Sequence, residues 1–248
     1  MKKLILAAAV TAAFSIGFAH AEETKVDAKP DNEVSFNAAL TSDYRYRGIS
    51  QTRLQPAVQG GADYTHNPSG LYAGAWLSNI KWTKDAGGSG DVEVDLYAGK
   101  RGEIAKDVSY DVGVLTYIYP SNGLATDANT TEIYGQIGYG PAYAKYSYAV
   151  TNLFGFTDSK NSGYLDLGAN IELAAGLTLN LHAGRQQVKN TDVTSYTDWK
   201  IGVTKDFGIV TGALAVIGTN ASEVAYASPA NGKFLGKTAV VATISKTF

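Results

Sequence analysis

The chain has 248 residues, with 21 Lys and Arg against 23 Asp and Glu for a formal charge of −2, and it has no cysteine. That composition excludes disulfides, thiolate catalysis, thiolate metal sites and iron–sulfur clusters, and its weak acidity argues against nucleic acid as the main partner. Charged residues are only 18% of the chain, while Gly (27) and Tyr (16) are abundant, a balance that suits tightly packed strands with aromatic belts.

Lys2 and Lys3 open the chain, an apolar run follows from Leu4 to Phe18, and Ala19-His20-Ala21 supplies small residues at the positions a signal peptidase reads. The pattern predicts a secretory signal over 1–21, cleaved after Ala21. The run is shorter than the ~20 residues that a spanning helix needs. Removing it takes away two lysines and leaves 19 basic against 23 acidic side chains, a charge of −4. Residues 22–33 are polar, carry Pro30, and read as a flexible leader.

From Val34 to the C-terminus one device recurs: about ten residues of apolar and polar alternation, then a turn or loop. Val92, Val94, Leu96 and Ala98, for example, alternate with Glu93, Asp95, Tyr97 and Gly99, and Leu177, Leu179, Leu181 and Ala183 alternate with Thr178, Asn180, His182 and Gly184. Each such segment has one apolar and one polar face. Twelve strands are predicted, near 34–44, 55–66, 71–80, 91–101, 108–119, 130–139, 142–152, 162–173, 177–187, 195–206, 209–219 and 237–248. Gly74 and Gly212 blur which face is apolar in the third and eleventh.

The connections alternate between long, as in Tyr44–Leu54, and tight, as in Gly140-Pro141. Outer-membrane barrels have this order, with short periplasmic turns and longer outer loops, and an even strand count places both termini in the periplasm. Tyr44, Tyr64, Tyr119, Tyr139, Tyr164, Tyr196, Phe207 and Phe248 fall at predicted strand ends, where interfacial girdles sit. Phe248 ends the last alternating strand and resembles the sorting signal of outer-membrane proteins, although Lys246 stands where such signals carry an apolar residue. A soluble β-sandwich or barrel is the competing architecture, but its interior would need large packed side chains, and here the face opposite Val, Leu and Ile holds Gly, Ser, Asn and carboxylates. The sequence therefore predicts an all-β fold, a closed antiparallel up-and-down transmembrane β-barrel of about twelve strands over 34–248.

The polar phase holds Asp63, Glu93, Asp95, Asp111, Glu132, Asp166, Glu172 and Asp198, against Lys145 and Lys200, with His182 counted as neutral. These are the expected lumen-lining residues, and their acidity predicts a lean toward cations or polyhydroxylated solutes. The same residues also fit a wall whose charges simply pair across strands. Arg45, Arg47 and Arg53 fall in the first outer loop, where they would counter the acidic lumen, meet lipopolysaccharide phosphates or stay solvated. Catalysis finds little support. His66 and Ser69 lie near each other, but in the turn sequence Asn67-Pro68-Ser69-Gly70. Glu93 and Asp95 share a face as in any alternating acidic strand, and no phosphate loop, dinucleotide fingerprint or zinc motif is present. No metal or cofactor is expected.

The stretches Ser42-Asp43-Tyr44-Arg45-Tyr46-Arg47-Gly48-Ile49-Ser50-Gln51-Thr52, Pro56-Ala57-Val58-Gln59-Gly60-Gly61-Ala62-Asp63-Tyr64 and Gly70-Leu71-Tyr72-Ala73-Gly74-Ala75-Trp76-Leu77-Ser78-Asn79, with the ending Ile244-Ser245-Lys246-Thr247-Phe248, resemble the TorF (Gcw_chp) family of outer-membrane porins. The resemblance is most specific in the first three strands. It implies an outer-membrane pore of unassigned substrate and carries over no site residues. The expected function is passive diffusion of small hydrophilic solutes through a narrow lumen, with outer-membrane lipids, lipopolysaccharide and the barrel-assembly machinery as partners. The rivals are a barrel with a blocked lumen in a structural or adhesive role, and a barrel lipid hydrolase.

Overall fold

A computed structural model describes residues 30–248; the expected signal and most of the leader lie outside the described residues. The strands are β1 (Asn32–Thr41), β2 (Arg45–Tyr46), β3 (Ile49–Ser50), β4 (Ala57–His66), β5 (Leu71–Asn79), β6 (Val92–Ala105), β7 (Val108–Ile118), β8 (Thr130–Tyr139), β9 (Ala142–Ala149), β10 (Gly163–Glu172), β11 (Leu177–Gln187), β12 (Tyr196–Asp206), β13 (Thr211–Thr219) and β14 (Ala239–Thr247), with a one-turn helix α1 (Trp82–Asp85) between β5 and β6. All but β2 and β3 form one closed barrel of twelve antiparallel strands, each paired with its neighbours along the chain, and β1 pairs β14 to close it. At that seam Phe248 and Phe36 exchange both backbone hydrogen bonds, at 3.1 and 2.8 Å.

Alternation explains the wall. Val34, Phe36, Leu40, Leu96, Val112, Ile133, Ile137, Leu167, Ile201, Val203, Leu214 and Ile244 all point outward and are exposed. Residues on the alternate phase, Gln59, Ser78, Glu93, Asp95, Glu132 and Asp198 among them, point inward and are buried. A water-soluble barrel has the opposite arrangement. β5 and β13 follow the same rule: Leu71, Leu77, Leu214 and Val216 face out, while Tyr72 and Trp76 face in.

The glycines within strands are explained by cross-strand packing. Gly74 faces Tyr97, Gly99 faces Tyr72, Gly113 faces Tyr134 and Gly168 faces Tyr143, each directly opposite in register. In all four pairs the tyrosine ring lies where a β-carbon on the glycine would stand. The missing side chain lets an inward-facing ring lie flat on the wall, which ties the high Gly content to the high Tyr content.

The tight connections, such as Gly140-Pro141 between β8 and β9, gather at one end of the barrel, and the long ones gather at the other. Three expectations change. The first strand starts at Asn32 and stops at Thr41, so it takes two residues from the leader reading, and Ser42–Tyr44 belong to a loop. β6 runs on to Ala105, leaving a two-residue turn at Lys106-Asp107. Of the aromatics expected in girdles, Tyr64, Tyr139, Phe207 and Phe248 are exposed at the tight-turn end, but Tyr44, Tyr119, Tyr164 and Tyr196 are buried inside the barrel and its loops; toward the loop end the exposed aromatics are instead Tyr146 and Trp199. A position near a strand end does not distinguish inward from outward, because one residue of register reverses the face.

The packing of Gly against Tyr predicts a clear contrast. At Gly113 an added methyl would sit 2.6 Å from the carbonyl oxygen of Ala98 and against the Tyr134 hydroxyl, so Gly113→Ala should destabilise the folded barrel by about 1–3 kcal/mol. At Gly135 the nearest atom is a Val112 methyl 3.9 Å away, and Gly135→Ala should change stability by no more than about 0.5 kcal/mol. Denaturant titration in detergent micelles measures both.

Candidate functional site in the barrel lumen

The loop from Ser42 to Pro56 turns back into the barrel and places the β2–β3 hairpin inside the lumen. Tyr46 and Ile49 pair around a two-residue turn, Arg47-Gly48, in which both residues have positive φ (46° and 78°). This is the type I′ geometry that matches the twist of a hairpin, and glycine at its second position is favoured for that reason. Gly48 lies against the wall, where a β-carbon would be 2.8 Å from Cβ of Asp198.

The hairpin is tied to the wall on several sides. Arg47 donates to Glu132 at 2.7 Å and to Gln186 at 2.6 Å, and its guanidinium lies 4.2 Å from the Tyr164 ring centroid. The Tyr46 and Tyr117 hydroxyls are 2.6 Å apart, and Tyr44 donates to Glu93 at 2.9 Å. Arg45 pairs with Asp43 at 2.5 Å and donates to the carbonyl oxygens of Gly48, Leu235 and Lys237, which joins the hairpin to the last long loop. Arg53 makes a bidentate ion pair with Asp85 of α1. All three arginines do lie in the first long loop. For Arg45 and Arg47, however, the lipopolysaccharide contact and the solvated role are corrected: both side chains are buried among lumen groups. The cause is the hairpin turn, whose signal was the dipeptide Arg47-Gly48 between the strand-formers Tyr46 and Ile49.

The inward face of the wall carries a network of carboxylates and hydroxyls. Asp63 accepts from Tyr97 at 2.6 Å and from Asn37 at 3.4 Å, and Asp111 accepts from Tyr72 at 2.5 Å. His182 stands between two carboxylates, with Nδ1 2.8 Å from Asp166 and Nε2 2.7 Å from Asp198. An ionised carboxylate only accepts, so the doubly protonated ring is the form that satisfies both contacts. This corrects the neutral count for His182. Asp198 also accepts from Tyr164 at 3.0 Å, and Asp166 from Tyr143 at 3.2 Å. Lys145 is buried with its ammonium 4.0 Å from the Tyr134 ring centroid, and Lys200 borders the same space. Glu172 follows the inward phase but sits exposed at the tight-turn rim, away from the rest. Glu93 and Asp95 are wholly enclosed, and neither Asp95 oxygen has a hydrogen-bond partner among the described residues. The tyrosines were missed in the sequence as site residues, and their signal was the Gly directly across each strand pair.

Cavities lie on two sides of the hairpin. One, of about 70 Å³, lies between it and β11–β14 and is bordered by Asp43, Gln59, Asn180 and Thr204. The other, of about 100 Å³, lies between it and β7–β13 and is bordered by Tyr143, Lys145, Ser147, Asp166, His182 and Lys200. At the tight-turn end, His66 Nδ1 is 2.7 Å from the Ser69 hydroxyl, which also accepts from the backbone N–H of Leu71, so the pair belongs to the turn. Among the described residues no cluster of His, Asp and Glu has the spacing to hold a metal ion.

Comparison with known proteins follows this geometry. Residues 25–248 match the family model Gcw_chp, described as a bacterial protein of unknown function. Among solved structures, the chain is similar to the KdgM porin, with a TM-score of 0.53 at 5% identity over 87% of this chain and 97% of that one. It is similar to the NanC porin with a TM-score of 0.53 at 9% identity over 87% of this chain and 98% of that one. No curated protein sequence matches the chain.

The lumen network makes two predictions. Arg47→Ala leaves Glu132 enclosed without its cation, so it should destabilise the barrel by about 3–5 kcal/mol. Asp95→Val replaces an enclosed carboxyl that has no hydrogen-bond partner by an apolar side chain of similar size, so it should raise stability by about 1–3 kcal/mol. Urea unfolding followed by tyrosine and tryptophan fluorescence measures both.

Proposed function

We propose that this chain, which belongs to the Gcw_chp family, is an outer-membrane pore through which small hydrophilic solutes diffuse passively. The observation that carries the reading is the inverted wall, with exposed Val, Leu, Ile and Phe outside and carboxylates, tyrosines and lysines inside. An apolar exterior that rings the whole barrel suits hydrocarbon, and a closed sheet leaves no unpaired backbone edge within it. The exposed Tyr64, Tyr139, Phe207 and Phe248 mark one membrane interface, which we assign to the periplasmic side because the tight turns lie there. The porin names of the two similar structures agree with this reading, although identities of 5% and 9% carry the fold alone.

The pore is narrow. A twelve-stranded barrel falls between filled eight-stranded barrels and the open lumens of 16–18-stranded porins, and here the β2–β3 hairpin occupies part of the interior. Inward carboxylates outnumber the cations facing them, and we expect a lean toward cations on that account. A second reading is favoured by the hairpin and the Tyr44 beside it, which touch the wall at Glu132, Gln186, Tyr117 and Asp198 and at Glu93: a barrel blocked by its own loop, with a structural role. The lipid-hydrolase reading rests on His66 and Ser69 alone, and unchanged lipid hydrolysis after His66→Ala and His182→Ala would dismiss it.

In planar bilayers under a potassium chloride gradient, the purified barrel should conduct with a reversal potential on the cation side. Clear anion preference would overturn the lean toward cations. Absence of any single-channel conductance, together with no swelling of liposomes in sugars or amino acids of graded size, would overturn the pore and favour the blocked barrel.

A further inference from the structure

The larger cavity presents an uneven set of polar groups. Its acids already have donors: Asp166 accepts from Tyr143 and faces His182, and Asp198 accepts from Tyr164 and faces His182. Of its cations, Arg47 is committed to Glu132 and Gln186, Arg45 through Nε and Nη1 to Asp43 and three carbonyls, and His182 to two carboxylates, and Lys200 is engaged as well. Lys145 differs. It is 7% exposed and borders the cavity, and no carboxylate among the described residues lies within ion-pair distance of its ammonium. Asp166 stands directly across from it in register, yet the ammonium rests on the Tyr134 ring instead. A ring engages one side of an ammonium and leaves N–H donors unused. Two residues further along β9, on the same inward face, the buried Ser147 adds a hydroxyl to the same cavity.

A cavity whose acids already have donors, and whose spare groups include an ammonium and a hydroxyl beside Arg45, whose Nη2 also has no hydrogen-bond partner among the described residues, complements an oxyanion. We infer that this cavity is a binding site for a small carboxylate, with Lys145 as its charged donor and Ser147 as its neutral one. The volume of about 100 Å³ holds a solute of a few heavy atoms and excludes an oligomer. The inference deepens the pore reading, on which it rests only for the solute's route of access; the site itself needs just the folded barrel. It is compatible with a lean toward cations, since net wall charge governs the passage of free ions while paired contacts govern a bound solute.

The test is saturation-transfer NMR on the mature protein in detergent micelles, with acetate and methylammonium as probes and folding checked by heat-modifiable electrophoretic mobility. Acetate should receive saturation from the wild type. The affinity should fall about tenfold in Lys145→Gln, as for loss of a charge-assisted hydrogen bond, fall less in Ser147→Ala, and stay in Lys145→Arg and in the loop variant Lys84→Gln. Equal acetate transfer in wild type and Lys145→Gln, no transfer to wild type, or transfer to methylammonium that depends on Lys145 would each overturn the site. Should Lys145→Gln fail to fold, Lys145→Arg and Ser147→Ala decide: loss in the first or no change in the second overturns it. Acetate binding without conductance would instead sink the pore reading and leave the site standing.

Discussion

In hydrocarbon each unpaired backbone N–H or C=O costs several kcal/mol, so a sheet with two free edges is not viable there. The hydrogen bonds between β1 and β14 meet that constraint. They run from the Phe36–Phe248 exchange at the tight-turn end to the Ser42 N–H bonded to the Ala242 carbonyl at the loop end. Every other feature presupposes this seam. With the sheet closed, each strand has a definite inside and outside, and period-two alternation becomes a difference between two environments.

Closure also creates the interior that the chain then partly fills. Twelve strands enclose more space than their own side chains occupy, and the space is taken up in two ways. Tyrosines lie flat over cross-strand glycines, which lines the wall with rings whose hydroxyls bind Asp63, Asp111, Asp166 and Asp198. The β2–β3 hairpin enters from the loop end and brings Arg47 to the enclosed wall carboxylate of Glu132, which would otherwise have no cation. Burying such charges is costly unless they are paired, so the hairpin and the acidic wall depend on each other.

Much of this was legible along the chain. Val92-Glu93-Val94-Asp95-Leu96 reads as a strand with two unlike faces in any context, because successive side chains in extended backbone point opposite ways. Gly140-Pro141 and Lys106-Asp107 read as connections, although β6 continues through Gly102–Ala105, past the end of its apolar pattern. What stayed hidden was what the loops do. Nothing in the order Tyr44-Arg45-Tyr46-Arg47 says whether those side chains meet lipid headgroups or the lumen, since a loop has no period to tie it to a face. His182 shows the same limit, because its charge depends on Asp166 and Asp198, each sixteen residues away in opposite directions along the chain.

The order of residues was therefore enough to specify strands, their faces, their antiparallel sequence and an even count, because those follow from local backbone geometry and from short connections. It could not specify which carboxylates would be neutralised, where the tyrosines at strand ends would point, or that the first long loop would fold inward. Those outcomes arise from contacts between residues far apart in sequence, such as Arg47 with Glu132 and Tyr44 with Glu93, and such contacts exist only once the barrel has closed and set its opposite walls a fixed distance apart.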